Sequence, residues 1–91
     1  MLTLPIKKKW FDMIRHGEKK EEYRNITLRY ESMFLNAMNE NGELDCILRN
    51  GYSKTSPQIK IRASLSIGYG NPNWGAVPNE QYFILKILKI E

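Results

Sequence analysis

The spacing of apolar residues changes several times along this chain, and each change marks an element. "LTLPI" at residues 2–6 has β-type spacing closed by Pro5 and predicts a first strand. From Lys8 the period becomes helical. Trp10, Met13 and Ile14 fall on one face with Phe11 at its border, and Lys8, Asp12, Arg15 and His16 fall on the other. Gly17 follows at once, where a helix end favours φ > 0, and Arg15 and His16 put positive charge in the last turn. "KKEEYRNI" at 19–26 predicts a second strand. Lys19, Glu21, Tyr23 and Asn25 alternate with Lys20, Glu22, Arg24 and Ile26, so neither face is simply apolar. From Thr27 the helical period returns, with a stripe of Tyr30, Met33, Phe34, Ala37 and Met38 that ends at Gly42.

The second half of the chain reads as strands and loops. "LDCILRNGY" predicts a strand running into a turn at Asn50-Gly51, and "SKTSP" a loop. "QIKIRASLSIG" alternates Ile59, Ile61, Ala63, Leu65 and Ile67 with Lys60, Arg62, Ser64 and Ser66, the pattern of a half-buried strand. "GYGNPNWGAVPNE" is a Gly/Pro-rich structured loop, and "QYFILKILKI" a terminal strand. Strands at both ends and the middle, with two helices inserted early, predict one α+β domain over residues 1–91, built on a curled sheet or barrel.

Composition narrows the class. At 91 residues the chain supports one core and one cleft. It has no apolar run near the ~18–20 residues of a membrane span, and "MLTLPIKKKW" lacks the pattern of a signal peptide. Cys46 is the single cysteine, which excludes an internal disulfide and a cysteine zinc site. These features predict a cytoplasmic protein without membrane partners. The net charge is +4, and residues 1–30, with eight basic and four acidic side chains, carry the whole excess. A basic cluster at Lys7, Lys8 and Lys9 suits a phosphate-bearing partner; the plainer reading is a solubilising surface.

Most familiar chemistries are missing. His16 and Cys46 have no partners at ligand spacing, so neither a metal nor a cofactor is expected. "GYGNPNWG" lacks both the GxGxxG spacing and a Lys-Ser/Thr ending. Nothing singles out a nucleophilic serine. Trp10 and Phe11, at helical spacing, are expected in the core. Trp74, in its Gly/Pro loop, is either a plug over the barrel end or a stacking platform. The charged stretch "HGEKKEEYRN" remains. Lys20, Glu22 and Arg24 share a strand face, and a bend after Gly17 would bring Lys19 round to them. Lys19 and Glu22 then form either a structural ion pair, or a lysine of lowered pKa with its proton partner.

"LPIKKKWFDMIRHGEKKEEYR", with its order of strand, helix ending in Gly17, then Lys19, Glu22 and Arg24, resembles the opening motif of the ASCH domain family of the PUA-like superfamily. "ILRNGY", "SP" and "LSIGYGNPNWGAVPNEQYFILKI" look like the later strands and loop of short bacterial and phage members, so the resemblance runs over nearly the whole chain. It implies a PUA-like β-barrel with flanking helices, a cleft lined by the Lys/Glu/Arg motif, and RNA or nucleotide binding. On that reading Lys7, Lys8, Lys9, Lys19 and Arg24 meet phosphates or base edges, and Tyr52 and Trp74 stack on bases. Some ASCH proteins deacetylate N4-acetylcytidine with a lysine, a threonine and a glutamate, and others are described as ribonucleases. The resemblance therefore implies a second possibility, a small hydrolase using Lys19 and Glu22. The amidohydrolase lysine corresponds to Lys19, whereas the threonine position is occupied by Glu22, and Glu80 is the one acidic residue between the mid-chain and last strands.

Overall fold

A computed structural model describes all residues, 1–91. The order of elements is β1 (Leu2–Pro5), α1 (Lys8–Arg15), β2 (Glu21–Arg24), α2 (Leu28–Ala37), β3 (Glu43–Arg49), β4 (Gln58–Tyr69), a short 3-10 helix (Pro72–Trp74) and β5 (Gln81–Ile90). The five strands form one mixed sheet in the order β1-β3-β4-β5-β2. β1 runs parallel to β3, and every other pairing is antiparallel. The sheet curls into a half-barrel, with β1 and β2 as its two edges.

The alternation in the sequence sets which side of the sheet is the core. Leu44, Cys46 and Leu48 of β3 sit opposite Ala63, Ile61 and Ile59 of β4, and Leu4 of β1 sits beside Leu48. All of these except Ile59 are fully or almost fully buried. Phe83 and Leu85 of β5 join them, and the register of β2 puts Arg24 opposite Phe83 and Glu22 opposite Leu85. Glu22 and Arg24 therefore share the core face of the sheet. A shift in register at Arg62/Ala63 bends the twelve-residue β4 and helps the sheet curl.

The two helices cover the concave side. α1 contributes Phe11 and Ile14, both buried, while Trp10 and Met13 are half-buried. This corrects the expectation for the helix: Phe11 rather than Trp10 is the deep aromatic, because the helix rolls to present its 11/14 edge inward. α2 begins at Thr27, whose hydroxyl accepts from the Tyr30 N–H (3.1 Å), and buries Phe34 edge-on against Phe83. Ile67, placed by alternation on the inner face and in register with the core residue Phe83, is exposed, because it lines an open groove beside Phe34 and Phe83. No helix is long and apolar enough to cross a membrane.

Candidate functional site

The open seam of the half-barrel, between β1 and β2, is bridged by a side chain instead of a strand ladder. Arg24 on β2 donates from Nη2 to the backbone carbonyl of Pro5 on β1 (2.8 Å) and to Glu22 Oε2 (2.6 Å). Its Nη1 reaches the Tyr30 hydroxyl at 3.4 Å, and its guanidinium carbon stands 6.0 Å from the Tyr30 ring centre. The Arg24 side chain is 10% exposed, and its Nε is buried with no hydrogen-bond partner.

Lys19 reaches the same carboxylate from the other side. Gly17, at φ +82°, turns the chain out of α1 in a conformation that favours glycine. The N–H groups of Glu18 and Lys19 both return to the Met13 carbonyl (2.8 and 3.1 Å). This tight turn ends before β2 begins, so Lys19 escapes the strand alternation that would send it away from Glu22. The Lys19 ammonium lies 3.2 Å from Glu22 Oε1 and donates to the Trp74 backbone carbonyl. It also faces the rings of Trp10 (5.0 Å) and Tyr23 (4.8 Å). Lys19 is 2% exposed and Glu22 6%. Burial holds the Lys19 pKa below its ordinary value, and Glu22 opposes that shift. One carboxylate thus stands between two buried cations.

Over this floor lies a cleft of about 460 Å³. Pro5, Ile6 and Lys7 form one wall, Glu22, Tyr23, Arg24 and Asn25 the floor, and Trp10, Tyr30, Tyr82, Trp74 and Gly75 the rest. The loop that carries Trp74 is clasped by two tyrosines, Tyr23 and Tyr82, whose rings lie 5.8 Å apart and tilted at 41°. The Tyr23 hydroxyl accepts from the Asn71 N–H (2.8 Å) and donates to Glu21 Oε1 (2.7 Å). The Tyr82 hydroxyl accepts from the Val77 N–H (3.0 Å) and donates to Glu80 Oε2 (2.6 Å).

Of the residues singled out from sequence, Lys7, Glu22, Arg24 and Trp74 line this cleft, while Lys19 stands behind its wall. Lys8 is turned to Asp12 in an exposed pair at 2.6 Å, and Lys9 lies over the Trp10 ring at 4.6 Å. Tyr52 is 93% exposed and belongs to a neighbouring depression, not to the cleft. Trp74 is half-buried, so it is a wall of the cleft and not a plug sealed in the core. Sequence reasoning missed Trp10, Tyr23 and Tyr30 as cleft residues, because helical or strand spacing marks a face without saying where that face ends. No three His, Cys, Asp or Glu side chains converge in a metal-binding group. Neither a protein-family profile, nor a curated protein, nor a solved structure matches the chain.

Proposed function

We propose that this chain binds single-stranded RNA or a nucleotide in the seam cleft, with Arg24 at its floor, Lys7 on its rim and Trp10, Tyr30 and Trp74 as aromatic walls. The observation that carries this reading is the state of Arg24. Its guanidinium lines the cleft with only a long contact at Nη1, which keeps donor capacity there, and it shares its one carboxylate with Lys19. The floor carries Arg24 and Glu22, and with Lys19 buried behind it and Lys7 on the rim the positive charges outnumber the one carboxylate, which favours acceptor-rich, anionic ligands. Aromatic walls favour ligands with flat faces. Nucleotides combine both properties, and a cleft of about 460 Å³ is in the range of small-molecule sites. The motif resemblance to ASCH domains, and a PUA-like reading of the half-barrel, point the same way.

The hydrolase alternative has one observation in its favour, the lowered pKa of Lys19, which would ease loss of its proton. Access weighs against it. Glu22, the Trp74 carbonyl and two aromatic rings surround the ammonium, and Lys19 does not line the cleft. A nucleophile or base has to come within hydrogen-bond reach of its substrate.

The test is to titrate the protein with short single-stranded RNA at low salt and, separately, to incubate it with N4-acetylcytidine. Binding that weakens in Lys7→Ala and Trp74→Ala, with no deacetylation, is expected. Absence of RNA binding at low salt would overturn the reading. So would turnover that disappears in a folded Lys19→Met variant.

A further inference from the structure

Lys7 belongs to two concavities. It lines the seam cleft, and it also lines a second depression of about 400 Å³ formed with Pro5, Ile6, Asn50, Gly51 and Tyr52. The two hollows share the segment Pro5–Lys7 and lie side by side across it. The β1–β3 ladder holds them together: Pro5 is in register with Arg49, and the Ile6 N–H donates to the Arg49 carbonyl at 2.9 Å. Asn50 and Tyr52 follow directly in the chain.

The loop carrying Tyr52 is ordered from within. Asn50 N–H donates to the Pro57 carbonyl (2.8 Å) and Ser56 N–H to the Ser53 carbonyl (3.0 Å). Ser53 N–H donates to Ser56 Oγ and Thr55 N–H to Ser53 Oγ, both at 3.2 Å. A loop with this many internal hydrogen bonds nevertheless leaves its one aromatic ring 93% exposed. Burying that ring would be favourable, and nothing in the fold covers it.

We infer that the chain binds a stretch of at least two consecutive unpaired nucleotides. One sits in the seam cleft, the next stacks on Tyr52 in the second depression, and Lys7 meets the phosphate that links them. This deepens the RNA-binding reading and rests on it. Each half has a separate chemical reason. The cleft offers buried guanidinium donors and aromatic walls, while the second depression offers an open stacking face with a cation at its inner edge. A duplex would not serve, because its bases are stacked on one another and their faces are not available to Tyr52.

The experiment is a ¹⁵N–¹H titration at low salt. The indole N–H signals of Trp10 and Trp74 report the cleft, and the amides of Gly51 and Tyr52 report the second depression. The probes are the four ribonucleoside 5′-monophosphates and the matching homodinucleotides. Monophosphates are expected to shift the indoles alone, and dinucleotides to shift both sets and bind about tenfold more tightly, within the range contributed by one base–aromatic stack. Tyr52→Ala, at an exposed position, should bring dinucleotide affinity down to the monophosphate level and leave monophosphate affinity unchanged. Tyr52→Phe should retain the dinucleotide advantage. Equal affinity for mono- and dinucleotides, or dinucleotide binding indifferent to Tyr52→Ala, would overturn the two-subsite arrangement while leaving the cleft reading intact. Failure of every probe to move the indole signals would overturn both.

Discussion

Glu22 divides one carboxylate between Lys19 and Arg24, one oxygen to each. Removing a residue from such a cluster costs according to what is left behind. Glu22→Ala leaves two buried cations together and is expected to destabilise the fold by about 3–5 kcal/mol, the usual cost of breaking a buried pair. Lys19→Met leaves a one-to-one pair of Glu22 with Arg24 and one carboxylate oxygen unsatisfied, at about 1–3 kcal/mol. Urea denaturation of both variants checks the order; a larger loss in Lys19→Met would mean that the ammonium, not the carboxylate, organises the cluster. Cys46 supplies a second prediction. Burial pushes its thiol up to about 12 from an ordinary 9.0, so between these values the unfolded chain gives up a proton that the folded chain keeps. Stability therefore falls as pH rises from about 9 to 12. Tyr23, also raised by burial, acts in the same direction above about pH 10, and Lys19, lowered by burial, opposes it. The difference between wild type and Cys46→Ala isolates the thiol, and the variant is expected to show the shallower decline. The presence of a charged site was legible in the sequence at this scale, since no apolar face could be found for residues 19–26. Strand alternation alone puts Lys20 on the face of Glu22; Lys19 reaches it through the bend expected after Gly17, and the strand period does not say where that bend stops.

At the scale of elements, the strands and helices lie close to where the changes of period placed them, because all but the charged β2 have an apolar face to bury. The exceptions are at the edges of the core. Trp10 and Phe11 are neighbours on α1, and their order of burial follows from the roll of the helix, which no single helix encodes. Ile67 keeps the alternation of β4 and stands opposite Phe83, but it faces an open groove and stays exposed. The loop between β4 and β5 depends on a close approach instead of a pattern. A Cβ built on Gly70 would stand 2.6–2.7 Å from Tyr23 ring atoms and 2.7 Å from the Ala76 Cβ. Gly70→Ala is therefore expected to displace the Tyr23 ring, at about 1–3 kcal/mol for overpacking. Hydrogen exchange locates the effect. The Asn71 amide, held by the Tyr23 hydroxyl, should exchange faster, while the Val77 amide, held by Tyr82, keeps its protection. A neutral Gly70→Ala with unchanged Asn71 exchange would show that the loop is not clasped at Tyr23.

For the molecule as a whole, the half-barrel and its open seam explain why the N-terminal charges are not equivalent. In the sequence Lys7, Lys8 and Lys9 are one basic run, and nothing in the run ranks them. In the fold the start of α1 sends them in different directions. Lys8 turns to Asp12 one helical turn on in an exposed pair, and Lys9 lies over the Trp10 ring. Lys7, before the first turn of the helix, is left on the shared wall of both hollows. If RNA crosses the seam, each phosphate neutralised on a single strand contributes about 0.7 to the slope of log affinity against log salt. Lys7→Ala is then expected to flatten the slope by about one such increment. Lys8→Ala should leave it nearly unchanged, since its charge is already paired and stands away from the cleft. Affinities of the wild type and the two single variants, measured from about 50 to 200 mM salt, where screening changes most, decide between a directed contact and a diffuse basic field. Equal flattening by both variants would mean that the whole cluster attracts RNA without a defined path, and the seam would lose its standing as the route of the strand.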